Sequence, residues 1–296
     1  MKVSGFTYIR NGFKFGYPFI ESIQSILPIC DEVIVAVGNS EDGTREALVN
    51  LGKKIKIVDT IWDDNLRLDG RIFAQQCNVA LAECTGDWLF HIQADEVIHE
   101  DDYGIIKSSL LKENENKNVD GFLFQFINFY GDYFTINNTR KVHKKEIRII
   151  RNNKNIFSYK DSQGFRKFSS ELSYNNGIEL GEKLNIKEIK ARVFHYNYVR
   201  NEVESIEKAK YFDRFWHSDK NIENKYKEKP NRYSIERVKK FDGTHPLTMN
   251  KIVNEFKSDF DTTKITGING LKNKVIYAIE DLLGFKIGEY KNYKKI

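Results

Sequence analysis

Along the first hundred residues, short apolar runs alternate with segments whose apolar residues recur every three or four positions. Lys2 to Ile9 is a run of the first kind, as are Glu32-Val33-Ile34-Val35-Ala36-Val37, Ile55 to Val58 and Trp88 to Ile92. All four predict strands, and the β-branched run ending at Gly38 and the hydrophobic run Trp88 to Ile92 predict buried ones. Between them, Pro18 to Leu27 sets Phe19, Ile23 and Ile26 on one helical face, and Arg71 to Cys84 predicts a further helix. Asp42-Gly43-Thr44 opens another, with Asp42 as the expected N-cap and an end near Gly52. This βαβαβ order predicts a parallel sheet covered by helices on both faces. Ligands of such sheets collect at the carboxyl ends of the strands.

After about residue 120 the pattern changes. Gly121 to Phe126, Glu146 to Ile150 and Ala191 to His195 read as strands without helices between them, extending the sheet in mixed or antiparallel fashion. From Asn201 the chain turns mostly helical, with Tyr211, Phe212, Phe215 and Trp216 as packing residues. The last helical segment, Gly270 to Leu283, puts Leu271, Val275, Ala278 and Leu282 on one face with lysines nearby. No internal repeat is present.

Composition narrows the class. A chain of 296 residues, 40% hydrophobic and 30% charged, is long enough for one large domain or one domain with an appendage. Its net charge of +5 is mild, which argues against a nucleic-acid partner and fits anionic small molecules or an acidic membrane surface. Cys30, Cys77 and Cys84 form no CxxC pair, which suits reduced thiols in a cytosolic setting. The N-terminus has no signal-peptide pattern, and no apolar run reaches the roughly 18 to 20 residues that span a bilayer. The expectation is a cytoplasmic protein, at most peripheral at the inner face of the cell membrane.

The candidate chemistry gathers at strand ends. Gln93-Ala94-Asp95-Glu96 follows directly on the strand Trp88 to Ile92. A carboxylate there either bridges a divalent cation to a diphosphate or caps the next segment, and position alone leaves both open. The first strand ends in Thr7-Tyr8-Ile9-Arg10-Asn11-Gly12, a polar loop able to hydrogen-bond a nucleotide. The second ends in Gly38-Asn39-Ser40-Glu41-Asp42-Gly43-Thr44, which feeds a helix N-terminus suited to an anion. Each loop alone could be turn chemistry; three on one edge of a sheet point to a ligand.

In this order, a strand with Thr-Tyr-x-x-Asn, a strand with Ser-x-Asp-Gly-Thr and an apolar strand with Ala-Asp-Glu, the sequence resembles the family 2 glycosyltransferases. Ile61-Trp62-Asp63-Asp64 to Asn78, followed by Gly86-Asp87-Trp88, is similar to bacterial members that build surface polysaccharides and lipopolysaccharide cores. The resemblance covers residues 1–100 well and 190–215 more loosely. It implies a GT-A-like, Rossmann-related mixed sheet flanked by helices, in a catalytic domain at 1–200 with a mostly helical extension at 201–296. Residues 1–100 would form the nucleotide-sugar half and 101–200 the acceptor half. The implied reaction is inverting transfer of a sugar from a nucleoside-diphosphate sugar, UDP-sugar foremost, to a glycan or glycolipid acceptor, with Mn2+ or Mg2+ as cofactor.

Carried over residue by residue, Asp95 matches the metal-binding acid and His195 the histidine that closes the metal site. A neutral imidazole suits that role beside carboxylate and phosphate oxygens; without the family, a packed histidine between Phe194 and Tyr196 reads equally well. Thr7, Tyr8 and Asn11 match the first nucleotide loop, with Arg10 between them, and Asp42 matches the Asp-Gly-Thr turn. The pattern departs at Gln93, where the family's first acid becomes a neutral amide able to bond a ribose. It departs again at Asn39, a neutral substitute for the acid that reads the base. Cys77-Asn78 replaces a usual Arg-Asn pair, leaving Arg71 to serve the phosphates. An inverting transfer also needs a base for the acceptor hydroxyl. Asp161, in a polar glycine-containing loop, is chosen over Glu146, whose alternation with Ile147 and Ile149 reads as solvent-facing. Tyr196 to Arg200 could hold sugar and phosphate, and the basic final helix could rest on an anionic membrane. Two other classes compete: a nucleotidyltransferase, and an impaired nucleotide-sugar or glycan-binding module, which Gln93 keeps in view.

Overall fold

The structure is a computed structural model and describes all residues except 65, 67, 68, 178, 228–231, 284 and 285. In chain order the strands are β1 (Val3–Ile9), β2 (Glu32–Val37), β3 (Ile55–Asp59), β4 (Trp88–His91), β5 (Glu96–Ile98), β6 (Gly121–Tyr130), β7 (Asp132–Asn137), β8 (Lys145–Arg151), β9 (Ile156–Ser158), β10 (Phe165–Lys167), β11 (Glu182–Tyr198), β12 (Val238–Lys240) and β13 (Tyr293–Lys295). The α-helices are α1 (Phe19–Ile26), α2 (Thr44–Val49), α3 (Arg71–Ala82), α4 (Tyr103–Glu113), α5 (Glu171–Asn175), α6 (Glu202–Asp213), α7 (Asp219–Lys225), α8 (Asn250–Glu255) and α9 (Leu271–Leu283).

The strands form one mixed sheet in the order β3-β2-β1-β4-β8-β6-β11-β10-β9. β1 pairs in parallel with β2 and β4, and β2 with β3, as the alternating first half predicts. The later strands insert both ways: β8 is antiparallel to β4 and β6, while β11 runs parallel to β6. The continuous apolar runs arise because both faces are covered. Val33, Val35 and Val37 pack with Phe19, Ile23 and Ile26 of α1 in one core, whereas Ile34 and Ala36 pack with Cys77 and Ala80 of α3 in another. All three cysteines are free and buried.

Two expectations are corrected. The helix α2 is capped by Gly43, with φ +83°, and not by Asp42; Asp42 instead accepts hydrogen bonds from the Lys14 and Thr44 amides and the Thr44 hydroxyl. β11 begins at Glu182, well before Ala191, because Leu184, Ile186 and Ile189 are buried between polar, outward residues. Such half-buried alternation is a weaker signal than an all-apolar run. Residues 201–296 carry the helices α6 to α9 and two short strands. β12 pairs with β7 and β13 with β11, so the chain returns to the sheet twice. Among the described residues, no helix is long and apolar enough to cross a membrane.

Candidate active site

The turn after β4 is built to hold one carboxylate at the sheet edge. Glu96, fully buried, accepts the Gln93 amide at 3.1 Å and is clamped by Arg148 of β8, whose Nε and Nη2 lie 2.7 and 2.5 Å from its two oxygens. The Ser22 hydroxyl of α1 donates to the Gln93 carbonyl at 2.9 Å. With Glu96 spent on Arg148, Asp95, itself buried, is left as the free acid of the turn that faces the cavity. Its backbone carbonyl accepts the Tyr196 amide at 2.8 Å.

β5 runs antiparallel to β11 with His195 opposite Glu96, and this register brings two distant segments together. His195 Nε2 lies 3.8 Å from Asp95 Oδ1, too far for a hydrogen bond and close enough to share a third partner. The tautomer follows from a relay. Asn128 Nδ2 donates to the His143 carbonyl at 2.8 Å, which turns its Oδ1 toward His195 Nδ1, also at 2.8 Å. An amide oxygen only accepts, so Nδ1 carries a proton, and Nε2 is the ring nitrogen turned to Asp95, the one that holds the lone pair whenever the ring is neutral.

Two cations close the other side. Lys208 of α6 puts Nζ 3.9 Å from Asp95 Oδ2, donates to Asn197 Oδ1 at 2.5 Å and lies over the Tyr17 ring. Burial holds its ammonium well below the ordinary lysine pKa, and Arg200 nearby adds to the effect. Arg200 is buried and donates through Nη1 to the Phe15 carbonyl at 2.7 Å, but its Nε and Nη2 are buried with no hydrogen-bond partner.

These groups line one cavity of about 660 Å³, a size that suits a small-molecule ligand. Of the residues singled out from sequence, Tyr8, Arg10, Gln93, Asp95, Asp161 and His195 lie in its wall. Arg10 is held by Asp64 at 2.8 Å against the face of Trp62, and burial drives the Tyr8 phenol pKa up. Thr7, Asn11, Asn39, Asp42 and Arg71 are not in that wall. Thr7 and Asn11 are buried, and Asn11 is spent on the 38–44 loop, accepting the Glu41 amide at 2.9 Å. Asn39 Oδ1 sits 3.5 Å from the Trp62 amide, and Arg71, the first residue of α3, is exposed.

Glu146 is the residue whose reading changes most. It lines the cavity with its side chain only 18% exposed, 3.2 Å from His143 Nδ1. Burial pushes its carboxyl up to about 7 against the pull of Arg148, with Glu96 and Glu289 adding to the rise. Lys208, Asn128 and Arg148 carry no local mark in the sequence. Each stands among ordinary neighbours of its helix or strand, and only the fold gives it a partner.

Asp95 and the lone pair of His195 fit a divalent cation that takes its remaining ligands from substrate phosphate and water. Among the described residues, no group of three or more His, Cys, Asp or Glu side chains is placed to hold a metal ion. No family model matches the chain, and no curated protein does. Among solved structures, the chain is similar to TarS 1–349 of S. aureus in complex with UDP-GlcNAc, at 16% identity and TM-score 0.41, over 72% of this chain and 65% of that one. A longer TarS chain is matched at 16% identity and TM-score 0.42, over 72% of this chain and 39% of that one. Glucosyl-3-phosphoglycerate synthase from Mycobacterium tuberculosis, in complex with Mn2+, UDP and phosphoglyceric acid, is matched at 18% identity and TM-score 0.30, over 44% and 43%. The chain thus spans less than two thirds of the length of each of these.

Proposed function

We propose that the protein is an inverting glycosyltransferase that moves a sugar from a nucleoside-diphosphate sugar, with UDP as the nucleotide, to a glycan or glycolipid acceptor. One observation carries the reading. At the carboxyl end of β4, one cavity joins the Asp95 carboxylate, the Nε2 edge of His195 and the buried guanidinium of Arg200, whose Nε and Nη2 have no hydrogen-bond partner. An anion with two negative groups satisfies that set, and a diphosphate is such an anion. The motif order of the first hundred residues supports the same family.

In this reading Asp95 and His195 would hold Mn2+ or Mg2+, which when bound would offset negative charge on the leaving group. Arg200 and Lys208 take phosphate oxygens from the protein side. Tyr8, Arg10 and Gln93 line the nucleotide end. Thr7, Asn11, Asn39 and Asp42 act from behind the wall by fixing the two strand-end loops, and Arg71 reaches the phosphates only if its side chain turns in. Asp161, also in the cavity wall, accepts the proton of the acceptor hydroxyl as that oxygen attacks the anomeric carbon. The bond from that carbon to the diphosphate breaks, and the configuration inverts. Glu146 is the second carboxylate able to serve as base.

The test is release of nucleoside diphosphate from a panel of nucleotide sugars, with and without Mn2+. Metal-dependent release is expected, abolished in Asp95→Ala and reduced by at least about tenfold in His195→Ala. Asp161→Asn and Glu146→Gln separate the two bases by which one removes turnover while donor binding persists. Release that survives Asp95→Ala unchanged would overturn the metal site; donor binding without turnover across suitable acceptors would assign an impaired binding module.

A further inference from the structure

The helix α9 is amphipathic in the reverse sense from a packed surface helix. The face turned to the protein carries Tyr277 and Glu280, its two buried residues. The Tyr277 hydroxyl accepts the Arg140 amide and donates to Glu236, and Glu280 pairs with Arg140 at 3.0 Å. The opposite face carries Leu271, Val275, Ile279, Leu282 and Leu283, which are 78%, 48%, 40%, 86% and 47% exposed. At about 100° per residue these five fall within about 120° of the circumference; Lys272, exposed, lies inside that arc beside Ile279 and Leu283, and Lys274, also exposed, lies about 60° beyond its Leu271 edge. The helix's acids are consumed elsewhere: Glu280 is buried, and Asp281 is bound by Arg237 at 2.8 Å. What remains facing outward is apolar and positive.

We infer that α9 is a membrane-contact helix that lies on an anionic lipid surface, its leucines in the acyl boundary and its lysines at the headgroups. The two lysines select the occupant, because an apolar stripe with one cation inside it and one beside it is complementary to anionic lipid and self-repelling against a second copy of itself. The face also connects to the cavity. Lys286, just beyond α9, donates to the carbonyls of Arg140 and Val142, and Lys141, Val142 and His143 line the cavity wall. The segment on which α9 packs thus continues directly into the cavity wall. Resting on the transferase reading, this makes a lipid-anchored acceptor the class that the site would receive.

The test is co-sedimentation of the full chain with phosphatidylcholine vesicles, with and without phosphatidylglycerol. Binding to the anionic vesicles is expected, weakened by salt, and reduced by at least about tenfold in Leu271→Ser/Leu282→Ser and in Lys272→Glu/Lys274→Glu. These positions are exposed, so thermal unfolding should match the parent chain. Absence of vesicle binding, or binding that neither double variant changes, would overturn the proposal. So would a dimer, measured by light scattering, that Leu271→Ser/Leu282→Ser dissolves while vesicles are ignored. Nucleoside-diphosphate binding in solution, measured on the same variants, should be unchanged. Its absence in the parent chain would defeat the transferase reading and leave the vesicle result standing.

Discussion

Arg200 is buried with Nε and Nη2 unpaired, a state that costs free energy in the ligand-free protein. Arg200→Met keeps most of the volume and removes the charge. Nucleoside-diphosphate affinity should fall by at least about tenfold while the melting temperature holds or rises. Calorimetric titration and thermal scanning check the pair; unchanged affinity with a large loss of stability would make Arg200 a packing residue. Glu146 sets a second prediction. Its carboxyl is raised from the ordinary 4.5 to about 7 by burial, so across that window the folded chain holds a proton that the unfolded chain has lost. Stability is then highest below the lower value and declines as pH rises through about 7. The groups facing it are His143, Arg148, Glu96 and Glu289. Melting temperatures of Glu146→Gln should lack much of that decline; a profile parallel to the parent's would contradict the assignment. The alternation Glu146-Ile147-Arg148-Ile149 shows which strand faces differ, but not that the polar face looks into a cavity. Sequence placed Glu146 in solvent for that reason.

At the scale of elements, the ladder between β5 and β11 does most of the assembly. It sets His195 opposite Glu96 and so beside Asp95, while the Glu96–Arg148 pair ties β5 to β8. Arg148→Met leaves the Glu96 carboxylate buried and unpaired, at a cost of about 3–5 kcal/mol. Urea denaturation should show that loss, and a change within about 0.5 kcal/mol, as for a surface site, would mean that the pair is not structural. The strands around Asp95 were legible because β1, β2 and β4 are buried on both faces and read as continuous apolar runs. β11 was legible only in its last third, where Val193 and Phe194 are buried together; upstream, Leu184 and Ile186 alternate with Asn185 and Lys187 and give a fainter signal. Asp95 itself could be found from its place after β4, and His195 from the family pattern. Asn128 and Lys208 could not, since their meaning lies in pairings across the fold.

Over the whole molecule, the chain folds as a doubly covered mixed sheet whose C-terminal segment closes the site as well as extending it. α6 brings Lys208 and Phe212 to the cavity, and β13 returns to pair with β11. α9 then presents its apolar stripe outward, a placement that helical periodicity shows as a stripe without saying which side is dry. The central proposal is that Asp95 and His195 act as a pair on a nucleoside diphosphate and a divalent cation, with Arg200 on the phosphates. A crystal structure with UDP and Mn2+ tests it most directly. The account predicts the ion within coordination distance of Asp95 and of His195 Nε2, and the diphosphate against Arg200. Nucleotide bound elsewhere, or at the cavity with the ion touching neither residue, would contradict it.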